Sequence, residues 1–185
     1  MNVIPRYVAA LVVLVLAGCR TAGVSRLQSD RGVVVAASAR VQELNSGKLV
    51  HVVFLRRSDM SSSAWMSGGP EELAELADVR IEVYGVGCSF LDLDGFAEVL
   101  QSAKPDAGAR SDMRWGIVLQ DGWQPFAGRH LNGRSVAVYV DRFCEGGEIN
   151  GVRVRFDGQK MKRWLRDNLA WRVPECGVPE AEDSL

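Results

Sequence analysis

Six residues carry most of the chemistry open to this 185-residue chain: the thiols of Cys19, Cys88, Cys144 and Cys176 and the imidazoles of His51 and His130. Two histidines without a third, and cysteines without a CxxC pair, are a poor ligand set for zinc, so no metal and no other cofactor is expected. Cys88 lies in Gly85-Val86-Gly87-Cys88-Ser89, after a strand-like segment and before a helical one. A helix N-terminus there lowers a thiol pKa and makes a nucleophile, with His130 downstream as the base. The same glycines half fit a dinucleotide loop, but the third glycine position is Phe90 and no βαβ unit follows. Asp92-Leu93-Asp94-Gly95 holds the opening of a calcium loop without its remaining spacing, and helix capping accounts for both carboxylates. His51, among Val50, Val52 and Val53, reads as a strand residue facing water or capping a sheet.

Cys19 has a different context. Arg6 is followed by an apolar run from Tyr7 to Leu16 and then by Leu16-Ala17-Gly18-Cys19. The run is short of the roughly 20 apolar residues that a spanning helix needs and has the length of a secretory h-region. With Leu16-Ala17-Gly18-Cys19 at its end, this segment resembles the lipobox signal of bacterial lipoproteins, over residues 1–22 alone. The resemblance implies a diacylglycerol thioether on Cys19, cleavage just before it, and acylation of the new amine by a palmitate-type chain. Each buried methylene adds about 0.8 kcal/mol, so several chains together anchor the protein without spanning the bilayer. Arg20 stands where, by the habit of that class, an Asp would hold the protein at the inner membrane. The expected location is therefore the outer membrane, facing the periplasm. Cys88-Ser89 also resembles the Asp-Cys-Ser-Gly segment of NlpC/P60 peptidoglycan peptidases, with Gly87 and Phe90 departing from it. That resemblance implies the alternative function, a cell-wall cysteine peptidase with Cys88 as nucleophile and His130 as base.

Composition sets the bounds. The chain is 47% hydrophobic and 24% charged with a net charge of −1, which excludes wholesale disorder. The balance of 22 basic and 23 acidic residues gives no pull toward nucleic acid. Once Cys19 is acylated, export to an oxidising space permits one disulfide among Cys88, Cys144 and Cys176 and leaves one thiol over. Cys144 with Cys176 is preferred, since both sit at element ends near Gly or Pro while Cys88 follows an apolar strand. A loop of that size contributes about 3–4 kcal/mol.

Val33–Leu44 and Leu49–Arg56 are β-rich, and Asn45-Ser46-Gly47-Lys48 between them predicts a long hairpin. Residues 58–70 are a Ser- and Gly-rich loop. Pro70 opens a helix through Ala77, Val79–Val86 alternates as a strand, and Asp92 or Asp94 caps a helix to about Ala103. Asp121-Gly122, Asn132-Gly133 and Asn150-Gly151 are three hairpin turns in about 30 residues, which argues for antiparallel meander. Asp157 caps a helix from Gly158 to Leu169. The sum is a mainly antiparallel α+β fold of about seven strands and two or three short helices, arranged as hairpins and meander or as a sandwich, with the last helix on the sheet. The predicted organisation is a cleaved signal over 1–18, a lipidated tether over 19–31, one globular domain over 32–176 and an acidic tail over 177–185.

Two surface features point to partners. Trp65, beside Met60 and Met66 in the Ser/Gly-rich loop, and Trp123, after a turn, place large apolar side chains at loop tips. Such area costs roughly 25 cal/mol per Å² when left in water and is typical of anchors for another protein. Residues 153–172 hold seven basic residues against Asp157 and Asp167, a stripe suited to an acidic partner or to solvent. The expected function is a non-enzymatic, lipid-anchored binding module. Its partner is another envelope protein, held by an adaptor, or an incoming toxin, neutralised by an immunity-type inhibitor. Trp65, Met66 and Trp123 are the candidate contact residues.

Overall fold

A computed structural model describes residues 29–57, 70–86, 91–109, 112–122 and 135–169. These residues form one antiparallel sheet and four helices. The strands are β1 (Leu49–Arg56), β2 (Val79–Val86), β3 (Lys104–Pro105), β4 (Met113–Asp121), β5 (Val136–Asp141), β6 (Gly146–Ile149) and β7 (Val152–Arg155). The helices are α1 (29–45), α2 (Pro70–Leu76), α3 (Leu93–Ser102) and α4 (Gly158–Leu169). The sheet order is β2-β1-β4-β5-β6-β7-β3, and every neighbouring pair is antiparallel. The α+β class, the seven-stranded antiparallel sheet and the C-terminal helix are as the sequence predicts; the described residues hold four helices rather than two or three, and helix slightly outweighs strand.

The main correction is α1. Residues 33–44 are helical, not the first arm of a hairpin. Val34, Ala37, Val41 and Leu44 recur at helical spacing and are all buried. A one-sided apolar stripe outweighs the strand preference of Val33-Val34-Val35, which costs each residue only a fraction of a kcal/mol in a helix. The turn at Asn45-Ser46-Gly47 exists but ends the helix, with Gly47 at φ +88°. Helix is already present at residue 29, inside the stretch expected to be tether.

Alternation sorts the sheet into two faces. Val50, Val52 and Phe54 of β1, Ile117 and Leu119 of β4, and Val136, Val138 and Val140 of β5 join the main core. Helices α1, α3 and α4 cover that face. Phe96 stacks on Trp164 with centroids 4.3 Å apart, and the Trp164 indole donates to the Asp92 carbonyl at 2.7 Å. Ser38 of α1 donates to the Ala97 carbonyl of α3 at 3.0 Å. Asp92 caps α3 by accepting from the Gly95 amide at 2.8 Å, as expected. On the other face Val53, Leu55, Val118, Ala137 and Tyr139 form a smaller core with Leu73 of α2.

Asn150 (φ +47°) and Gly151 (φ +85°) make the tight β6–β7 turn that the sequence predicts. Asp121-Gly122 does not make one. Gly122 has φ +75° but its amide returns to the Leu49 carbonyl at 2.8 Å, and β5 begins only at Val136. Asn132-Gly133 lies outside the described residues. At the far edge β3 is two residues long and pairs with Val154 and Arg155. Pro105 there has no amide hydrogen to donate.

Candidate functional site

A polar cluster sits on the second face, where β1 runs between β2 and β4. Strand parity turns Val50 and Val52 into the main core and His51 the other way. Register sets His51 opposite Tyr84 on β2 and opposite Gln120 on β4, so the three side chains form one row across three strands. His51 is fully buried, which corrects the expectation of a residue facing water. Its ring stacks on Tyr84 with centroids 4.3 Å apart and planes 11° from parallel.

Both ring nitrogens are engaged. Nδ1 lies 3.0 Å from Gln120 Oε1, and Nε2 lies 3.1 Å from Glu82 Oε2. With two oxygens as acceptors, both nitrogens carry hydrogen and the ring is an imidazolium. With the Gln120 amide turned over, its NH₂ donates to Nδ1 and the neutral ring donates from Nε2 to Glu82. Which partner donates at Nδ1 therefore depends on the orientation of the Gln120 amide.

Glu82 gathers the remaining contacts. Arg80 donates to its Oε1 from Nε at 2.8 Å and Nη2 at 2.6 Å, and the Tyr84 hydroxyl donates to Oε2 at 3.1 Å. Burial works against the carboxylate, but Arg80, Tyr84 and His51 together hold its pKa below the ordinary value of 4.5. The cluster is thus a carboxylate held ionised beside a buried imidazole. This arrangement orients and charges side chains; its imidazole has no exposure to a substrate.

A second cluster lies at the β5–β6 turn. Asp141 is 2% exposed and accepts from the amides of Phe143 (3.0 Å), Glu145 (3.1 Å) and Gly146 (3.0 Å). Burial raises its pKa, while the three amides pull it back toward the ordinary value. It borders a cleft of about 480 Å³ that Phe143, Glu145 and Arg155 also line. Its oxygens are occupied by the turn they build. Next to it Cys144 sits at φ +61°, a free thiol 1% exposed in the main core. Burial pushes this thiol up to about 12.

Of the residues that the sequence singles out, Cys19, Trp65, Met66, Cys88, Trp123, His130 and Cys176 lie outside the described residues. Cys144 is described and is a free thiol, in place of the disulfide expected with Cys176, which lies outside the described residues. The basic stripe is partly tied down: Arg155 pairs with Asp106 at 2.9 Å, Arg166 contacts Asp167 at 3.2 Å, and Arg153 reaches the Ala107 carbonyl at 3.5 Å. Sequence reasoning missed Glu82, Tyr84 and Gln120 as partners of His51. The available signal was their common parity on strands flanking β1, which becomes useful once the pairing register is known. Among the described residues no three His, Cys, Asp or Glu side chains gather as a metal would require, and no helix is long and apolar enough to cross a membrane. Compared with protein-family models, curated proteins and solved structures, the chain matches none.

Proposed function

We propose that the protein is a lipid-anchored lipoprotein of the bacterial cell envelope that acts as a protein-binding module, either an adaptor or an immunity-type inhibitor. The observation that carries the reading is the apolar run ending in Leu16-Ala17-Gly18-Cys19, followed within ten residues by a helix of the folded domain. Ten extended residues span at most about 35 Å, so acylation at Cys19 holds the domain close to the membrane surface. The outer membrane facing the periplasm is the proposed location, from Arg20 after the cysteine. Partner binding is supported by the tryptophans at 65 and 123 and by apolar side chains left in water elsewhere. Leu76, Tyr84 and Phe143 are 52%, 44% and 43% exposed on α2, β2 and the β5–β6 turn. The burial of His51 favours a structural use of its cluster over catalysis.

Two measurements test this. Labelled palmitate fed to cells enters the protein and is lost in Cys19→Ala; a secreted, unlabelled chain would end the anchor reading. Affinity capture of the anchored protein retrieves one stoichiometric partner, which is lost in Trp65→Ala or Trp123→Ala and kept in Cys88→Ala. Wall-degrading activity that disappears in Cys88→Ala would instead establish the peptidase.

A further inference from the structure

We propose that β2 is the edge through which two copies of this chain pair, antiparallel, with Ile81 on the two-fold axis. Strand β2 ends the sheet, is eight residues long and, among the described residues, pairs with β1 alone. Its core-facing Ile81 and Val83 remain partly exposed, whereas Val50 and Val52 one strand inward are completely covered. The layer under this edge is therefore incomplete, and Tyr84 on the opposite face is 44% exposed.

The charges specify the occupant. When two identical edges pair about an axis perpendicular to the sheet, residues that face each other lie on the same face, so the axis passes through a residue. An axis at Arg80 or Glu82 sets like charges against each other, which is unfavourable. An axis at Val79 leaves little strand to overlap, because α2 ends at Leu76. An axis at Val83 puts Glu82 against Tyr84 and gives Arg80 no counter-charge. With Ile81 on the axis, Arg80 faces Glu82 of the second copy and Glu82 faces its Arg80. Arg80 and Glu82 already pair within one strand, Nη2 to Oε1 at 2.6 Å. The four charges then alternate around a square, each flanked by two of opposite sign. Val79 faces Val83 on the core side of the same contact. This self-complementarity is the reason to assign a second copy of the chain and not an unrelated strand.

The test uses the full chain in detergent, by sedimentation equilibrium. Wild type associates reversibly to dimers. Arg80→Glu and Glu82→Lys each weaken that association by about tenfold or more, since two attractive cross-strand pairs become repulsive. An equimolar mixture of the two variants recovers association as a heterodimer, because every facing pair is again of opposite sign. A wild type that stays monomeric up to its solubility limit overturns the proposal, as does a dimer indifferent to Arg80→Glu, or a mixture that fails to associate while both variants remain folded by circular dichroism. Glu82 also contacts His51, so Glu82→Lys can lose its fold. In that event Arg80→Ala and Arg80→Glu carry the test: affinity must fall from wild type to Ala to Glu, and equal affinities overturn the register.

Discussion

Replacing Glu82 by Gln keeps the shape of the side chain and removes the charge on which the β1–β2–β4 cluster is built. Glu82 receives charge-assisted bonds from Arg80 and further bonds from Tyr84 and His51. Hydrogen bonds to a charged group contribute about 1.5–3 kcal/mol when shielded. The Glu82 side chain is 30% exposed and the Arg80 side chain 44%, so solvent screening removes much of the Arg80 share. His51 is fully buried, and its bond to the carboxylate keeps more of its value. The expected destabilisation is about 1–2 kcal/mol at pH 7. The pH dependence follows from the direction of the shift. A carboxyl with a depressed folded-state pKa contributes stability above its unfolded value, near 4.5, and loses it as pH falls through the folded value. Urea unfolding of wild type and Glu82→Gln therefore gives curves that differ at pH 7 and converge in acid, well below pH 4.5. Equal stability at pH 7, or a deficit unchanged in acid, would refute the claim that the ionised carboxylate organises the cluster.

Three further outcomes are expected. The Cys144 thiol resists alkylation in the native protein at neutral pH and reacts only on unfolding. Because its folded pKa of about 12 lies above the ordinary 9.0, its contribution to stability is intact below pH 9 and is lost between those values, measurable as a falling melting temperature in Cys144 relative to Cys144→Ala. Gly147→Ala places a methyl 2.1 Å from the Tyr139 carbonyl oxygen and 2.6 Å from the Phe156 ring, so it destabilises by about 3 kcal/mol or more in denaturant titration. Leu44→Ala, at a fully buried position of α1, costs about 2–5 kcal/mol by the same titration, and a near-neutral result would mean that this helix does not pack on the sheet.

The sequence was most legible where a local signal and the tertiary fold agree. The bounds of β2 follow from uninterrupted alternation, and those of α4 from an apolar face of Met161, Trp164, Leu165 and Leu169 behind Asp157. Asn150-Gly151 announced its turn because few other residue pairs accept two positive φ angles. Residues 33–35 misled because three consecutive valines favour a strand locally, while the stripe through Val34, Ala37, Val41 and Leu44 is rewarded only when a sheet lies beneath it. The His51 cluster was illegible for a related reason. Its members are 31 and 69 residues away along the chain, and only the β1–β2 and β1–β4 registers bring them into one row. The anchor at Cys19 is the opposite case, a reading that rests wholly on consecutive residues.

The two margins of the sheet are unequal, and the inequality limits what the molecule can build. One margin is a full eight-residue strand; the other is the two-residue β3, with a proline and with Arg155 clamped to Asp106 beside it. Lateral growth into fibrils needs a receptive border at each end of every subunit. Among the described residues the sheet has one long border, so growth by edge pairing stops once that border is met.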